Sequence, residues 1–240
     1  QNQFPLLIKF IDAKEDLSIQ LHPNDDLAKK RHNSFGKTEM WHVMQADDDA
    51  NLIVGFKEKI SAEIYTKHLN EKSLPEILNY ESVKAGDTYF IEVGRVHAIG
   101  AGILLAEIQQ TSDVTYRVYD WDRVDADGNA RELHNDLALD AINFEMKADF
   151  KVDYEKKTNF SNLMVECPFF TTNYLPLSSK LNKINATDSF LIYICIDGEL
   201  KVETDHYSVQ LKKGETVLIP AAIRAFRLYA ENAKLLEIYV

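Results

Sequence analysis

Short runs of alternating apolar and polar residues dominate this chain. "DLSIQLH", "EMWHVMQ", "DTYFIEV", "GILLAEIQQ" and "VTYRVYDW" are bounded by Asp, Asn, Gly and Pro, the pattern of a β-rich sandwich or barrel. Within "LSIQLHPND" a period of two places Leu17, Ile19 and Leu21 on one strand face and Ser18, Gln20 and His22 on the other. Within "FGKTEMWHVM" it places Lys37, Glu39 and Trp41 opposite Thr38, Met40 and His42. Two segments have helical spacing instead. Ser61 to Leu78 has Ser61 as N-cap and Glu63 in the first turn, and Glu132 to Phe144 has Leu133, Leu137, Leu139 and Ile142 on one broad face. Strands then resume, with "SFLIYICIDGELKVET" predicted as a hairpin joined at Asp197-Gly198. The pattern predicts a β unit over residues 1–130 with a helical insertion at about 61–80, a helical connector over 131–150, and a second β unit over 151–240.

Composition narrows the classes. With 240 residues, 45% hydrophobic and 27% charged, the chain can bury a sizeable core. A net charge of −11 argues against nucleic acid or an acidic membrane surface as partner, and requires any anion site to carry its own Lys or Arg. Cys167 and Cys195 form no C-x-x-C pattern, which excludes a cysteine zinc site and a disulfide framework and fits a reducing cytoplasm. No apolar run approaches the roughly 20 residues of a membrane helix, and no signal-peptide pattern is present. The opening "QNQFPLLIKFIDA" already reads as a core strand, so further chain is expected ahead of it.

An internal echo bears on fold and chemistry together. "GDTYFIEVGRVHAI" carries Gly86, Gly94 and His97; "GETVLIPAAIRAF" repeats the turn glycine at Gly214 but has Ala225 in place of the histidine. Both resemble the second motif of cupin barrels, a glycine turn, a strand, a tight turn and a metal-ligating histidine. The fold implied is mainly β, two cupin-type (jelly-roll) barrels with small helical insertions, the first metal-binding and the second metal-free. Inside a barrel, Lys37 and Glu39 would have to be paired, ligated or functional, since a desolvated lone charge is costly. Gln20, His22, Glu39 and His97 offer two imidazoles, a carboxylate and an amide oxygen, a set suited to a borderline cation, although spread over three strands.

"LSIQLHPND", "GKTE", "GRVHAIG" and "LLAEIQQTSDVTYRVYD" occur in the order of the motif series of class I phosphomannose isomerases, which the chain resembles in their compact bacterial form. The resemblance implies one zinc ion per chain on Gln20, His22, Glu39 and His97, with Ser18, Lys37, Glu107 and Arg117 in the active site. It implies a sugar phosphate as small-molecule partner, interconversion of mannose 6-phosphate and fructose 6-phosphate through an enediol(ate), and a further stretch upstream. On this reading Lys37 and Glu107 are candidates for proton transfer, Arg117 and Lys37 meet substrate, and Arg117 stabilises negative charge. Ser18, and more weakly Arg95 and Arg123, are candidates for the phosphate. The remaining histidines, His32, His42, His68, His134 and His206, read as surface or packing residues. Two rival readings stand beside this one: an iron(II) dioxygenase-type cupin using two histidines and a carboxylate, and a non-catalytic sugar-phosphate-binding cupin.

Overall fold

The computed structural model describes residues 3–147 and 149–240. The chain divides into two compact units, Gln1–Lys151 and Val152–Val240. The first contains strands β1 (Leu6–Ala13), β2 (Ile19–Leu21), β3 (Glu39–Ala46), β4 (Asn51–Phe56), β5 (Leu78–Ser82), β6 (Thr88–Ile91), β7 (His97–Ile99), β8 (Ile103–Gln110) and β9 (Tyr116–Tyr119). Helix α1 (Asp25–His32) follows β2, α2 (Ala62–Asn70) follows β4, and α3 (Asn135–Ala138) follows β9. The strands form a four-stranded sheet, β1-β8-β3-β6, and a five-stranded sheet, β5-β4-β7-β2-β9.

Alternation along the strands sorts this unit into an outer and an inner layer. Ile19 and Leu21 are fully buried in a cluster with Ile53, Phe56, Val96, Ala98, Tyr116 and Val118, covered by Tyr65 of α2 and Ala138 of α3. A second cluster joins residues of both sheets, Trp41, Val43 and Leu105 with Leu52, Val54 and Ile99, and forms the apolar part of the barrel interior. Side chains from the interior-facing row of β2, β7 and β9 share that interior. The turn before β7 is tight: Gly94 has φ +78°, and a Cβ there would stand 2.4 Å from the Ala141 carbonyl oxygen.

The helices differ from expectation in instructive ways. Ser61 is the N-cap, accepting from the Ile64 N–H, but the helix ends at Asn70 and Lys72 adopts φ +55°. Pro75 then opens a separate 3-10 turn, Leu74–Ile77. The segment Glu132 to Phe144 yields only the single turn α3, which packs Leu137 on the outer cluster; Ala141, Ile142 and Phe144 continue there as an irregular strap. Helix α1 has no apolar periodicity to betray it. It rests on the Asn24 cap to the Leu27 N–H, Asp25 and Asp26 in the first turn, basic residues in the last, and Asn33 in the left-handed region.

The second unit contains β10 (Asn162–Glu166), β11 (Thr171–Leu177), β12 (Leu181–Ile184), β13 (Leu191–Glu203), β14 (Ser208–Lys212), β15 (Thr216–Ile219), β16 (Ala225–Tyr229) and β17 (Ala233–Tyr239). The hairpin expected at Asp197-Gly198 is not formed. β13 runs unbroken for 13 residues and bends there, with a register shift between Cys195 and Asp197 against β17. The shift leaves Ile196 as the unpaired residue, and Gly198 just beyond it adopts φ +75°, where a Cβ would meet the Asn232 carbonyl oxygen at 2.2 Å. The first half of β13 pairs with β15 and β17, the second with β14 and β16.

Inside this unit Glu237 is 3% exposed, yet its carboxylate is fully engaged by the Tyr193 hydroxyl at 2.6 Å, the Asn173 amide at 3.1 Å and Lys183 Nζ at 2.6 Å. Burial alone would raise its pKa; Lys183 and the Tyr193 hydroxyl outweigh burial and hold it below the ordinary carboxylate value. A depressed folded pKa contributes stability above the unfolded pKa and loses it as pH falls through the folded one. Glu237→Ala is therefore expected to cost about 3 kcal/mol in urea unfolding at pH 7 by stranding Lys183 and Asn173. Glu237→Gln should flatten the acid limb of the stability curve, and an unchanged acid limb would contradict this account of the carboxylate.

Candidate metal centre

Register brings the candidates together. On the five-stranded sheet, Gln20 stands opposite His97 on one side and Arg117 on the other, and His97 stands opposite Val54. The facing sheet sets Glu39 beside Gln109, and Trp41 beside Glu107, which in turn stands beside Lys9 of β1. His22 follows β2, its carbonyl accepting the Gly94 N–H at 2.7 Å. His22, Glu39 and His97 are buried, with ligand atoms all within 4.8 Å of one another; among the described residues no other group of His, Cys, Asp and Glu has this arrangement.

Each imidazole is fixed by a backbone carbonyl. The Nδ1 atoms of His22 and His97 lie 2.9 Å from the Val114 oxygen and 2.8 Å from the Arg95 oxygen. Carbonyls only accept, so both Nδ1 atoms carry hydrogen, and the Nε2 lone pairs turn inward, the outer-shell arrangement of metal-bound histidines. Those Nε2 atoms lie 3.6 Å from Glu39 Oε2 and Oε1 respectively. Burial, seconded by Lys37, drives the His22 pKa well below its usual value, and burial pushes that of His97 down to about 4. Both rings are thus neutral at pH 7, the form in which an imidazole can bind a metal ion.

Glu39 has no solvent exposure, and neither oxygen accepts a well-directed hydrogen bond. Lys37 Nζ is 2.8 Å from Oε2 but off the hydrogen-bonding direction, so the contact is a charge pair. Burial and the neighbouring Glu107 raise the Glu39 pKa to about 7, against the opposing pull of Lys37. Two inward lone pairs and a buried carboxylate short of donors are what a divalent ion would satisfy. Gln20 adjoins this set, its amide nitrogen 3.4 Å from His97 Nε2; a half-turn of the amide presents the oxygen.

Charged groups crowd the margin. Lys37, 5% exposed, lies 3.1 Å from His22 Nε2 and 3.8 Å from Glu107 Oε1. Glu107 accepts from Trp41 Nε1 at 3.1 Å and from Lys9 Nζ at 2.9 Å, and Lys9 also donates to Gln109 at 2.6 Å. Burial would raise the Glu107 pKa, but Lys37 and Lys9 prevail and lower it. The Arg117 side chain donates from Nε to Ser18 Oγ at 3.3 Å and from Nη1 to the Glu132 carbonyl at 2.8 Å. Burial lowers its pKa, and the nearby positive charges of Arg131 and Arg123 act in the same direction.

Arg95 does not fit the phosphate role: it is 1% exposed, donates to the Glu145 carbonyl and Glu92, and lies over the Phe150 ring. Arg123 is half-buried, paired with Asp120 and bonded to the Asp16 carbonyl. His42 bonds Thr88 and is buried, His32 bonds the Tyr116 hydroxyl, and His68 bonds Ser73. Sequence reading passed over Lys9 and Gln109; the available signal was a single lysine interrupting the apolar run "LLIKFI".

The second unit repeats the topology without the donors. Glu39 pairs with Ile91, five residues after Gly86; Leu191 pairs with Ile219, five residues after Gly214. Where Gln20 faces His97, Ile184 faces Ala225, and both replacements are exposed. The neighbouring row survives in altered form: Lys9, Glu107 and Trp41 correspond to Asn173, Glu237 and Tyr193.

Fold and donor set together define a two-barrel cupin protein whose first barrel holds a His22–Glu39–His97 group that could bind a metal ion. The model of the phosphomannose isomerase type I catalytic domain matches residues 1–73, and that of the mannose-6-phosphate isomerase cupin domain matches residues 159–240. The chain is 37% identical to mannose-6-phosphate isomerase ManA of Bacillus subtilis over 235 residues, 96% of this chain and 74% of that protein. It is 33% identical to mannose-6-phosphate isomerase of Streptococcus mutans, over 93% and 71% of the two chains. The crystal structure of a Bacillus subtilis mannose 6-phosphate isomerase superposes with a TM-score of 0.91 at 30% identity, covering 100% of this chain and 76% of that one. This chain belongs to the mannose-6-phosphate isomerase family, the type I phosphomannose isomerases.

Chelator-treated protein should gain thermal stability on addition of zinc(II) alone, by about 2.7 kcal/mol at a hundred times the dissociation constant. His97→Ala and Glu39→Ala should abolish the gain. Equal gains in parent and variants would place the ion elsewhere.

Proposed function

We propose that this chain is a zinc-dependent aldose–ketose isomerase interconverting mannose 6-phosphate and fructose 6-phosphate through an enediol(ate). The observation that carries the reading is a His22–Glu39–His97 donor set abutting a buried Lys37–Glu107 pair, in a chain of this family. The reaction removes a proton from the carbon beside a carbonyl, returns one to the neighbouring carbon, and moves a hydroxyl proton between the two oxygens. It therefore needs stabilised oxyanion charge and a positioned acid–base group.

Zinc held by His22, Glu39 and His97, with Gln20 as fourth ligand, would supply Lewis-acid stabilisation to the sugar oxygens. Two imidazoles, an amide and one carboxylate leave that site net positive, which suits the developing anion. Lys37 and Glu107 relay the exchangeable protons: their polar atoms are 3.8 Å apart, and Lys9 on the other side of Glu107 keeps its carboxylate charged and so able to accept one. Arg117, cross-strand from Gln20 and held by Ser18, stabilises the enediolate. Arg123 and Arg131, both drawn to Asp120, extend the positive field outward from Arg117 and meet the phosphate, the local cation set that an acidic protein requires for an anionic substrate.

In an assay coupled to glucose-6-phosphate formation, chelated protein should regain isomerase activity with zinc(II). Arg117→Ala should lower kcat/KM by ~10²–10³-fold, the usual loss for an oxyanion-stabilising donor. Recovery with iron(II) and consumption of oxygen would instead establish the dioxygenase reading. Full turnover by Arg117→Ala would remove that residue from the mechanism.

A further inference from the structure

β9 is the last strand of its sheet, so one row of its backbone groups has no strand neighbour. At Arg117 that row is nonetheless closed. The Arg117 N–H donates to His134 Nδ1 at 3.1 Å, and the His134 N–H donates to the Arg117 carbonyl at 2.7 Å. One residue thus imitates both halves of a β-bridge, donating through its backbone and accepting through its side chain.

The clasp also sets the other end of Arg117. Two residues before His134, the Glu132 carbonyl accepts from the Arg117 guanidinium at 2.8 Å. Immediately after it, the His134 carbonyl accepts from Leu137 and Ala138 and starts α3. Arg31 then ties that turn to α1 through the Leu137 carbonyl and Asp140. The strap is fixed at α3 and meets β9 through His134. The Nδ1 acceptor supplies one half of that clasp and the His134 N–H the other, so removing Nδ1 leaves a single backbone bond to hold the strap, and with it the Glu132 carbonyl, against β9.

We propose that His134 is a positioning residue for Arg117: it does not touch substrate, but fixes the strand and the carbonyl that aim the guanidinium. The proposal rests on the isomerase reading for its kinetic consequence and on geometry alone for its structural one. Asparagine tests the chemistry, because its Oδ1 takes the place of Nδ1 on the same Cγ; leucine keeps the bulk and removes the acceptor.

The experiment uses the zinc-loaded chain and four variants, His134→Leu, His134→Asn, Arg117→Ala and the double variant Arg117→Ala/His134→Leu, with hydrogen exchange at the Arg117 amide read in parallel. His134→Leu should lower kcat/KM about tenfold, a change worth one hydrogen bond, in the same kinetic parameter that Arg117→Ala lowers. His134→Asn should restore most of it, and His134→Leu should cost nothing further once Arg117 is replaced by alanine. The Arg117 amide should exchange about tenfold faster in His134→Leu and at the parent rate in His134→Asn. Equal losses from His134→Leu in the parent and in the Arg117→Ala background, equal damage from Asn and Leu, or unchanged amide exchange would each overturn the proposal. Should His134→Leu fail to fold, His134→Gln, whose acceptor is displaced by one methylene, takes its place under the same criteria. A parent chain without isomerase activity would defeat the functional reading, and amide exchange would then decide the role of His134 by itself.

Discussion

A carboxylate with no access to water and no well-directed donor is among the more expensive things a barrel can contain. Glu39 is such a group, and much of the first unit is arranged around it. The Val114 and Arg95 carbonyls turn two imidazoles so that their lone pairs face its oxygens, and Lys37 supplies countercharge from one side. A cation is the partner that this convergence would satisfy, and Lys37, Lys9, Glu107 and Arg117 stand around the same space, where the proposed isomerase reading gives them work.

The two barrels show what the donor set costs and what replaces it. Their strands follow the same order of pairing, but Leu191 stands where the first has Glu39, and Ile184 and Ala225 stand for Gln20 and His97. Freed of ligands, the second barrel fills its interior with Leu175, Leu191, Tyr193 and Leu235. It keeps one buried carboxylate, Glu237, at the position of Glu107, and satisfies it completely with Tyr193, Asn173 and Lys183. The contrast separates a structural buried acid, fully bonded, from one left short of donors.

The strands, and the facing of the candidate ligands, were legible because each depends on a local rule. Period-two alternation put Gln20 and His22 on the face away from Ile19 and Leu21, and that is where they stand, with Ile19 and Leu21 wholly buried behind them. The misreadings came where tertiary context overrides the local signal. Leu133 and Leu139 are in helical register but exposed, because the strap is held by Arg117, Gly94 and Arg31 rather than by its own ladder. Asp197-Gly198 has hairpin chemistry, yet β17 pairs with both residues just past a bulge at Ile196, and the strand continues into its pairing with β14. Arg95 looked available for phosphate, but a cation beside the ligand turn is consumed by Glu92 and the Glu145 carbonyl. His134, which read as a surface or packing residue, bonds the Arg117 backbone of a strand seventeen residues back, a contact no local pattern announces.

The central claim is that His22, Glu39 and His97 surround one cation. Anomalous diffraction collected at the zinc edge from crystals of the zinc-loaded chain tests it most directly. A single peak about 2.0–2.2 Å from both Nε2 atoms and a Glu39 oxygen is the expected result. A peak bound to other residues, with Glu39 still paired only to Lys37, would contradict it.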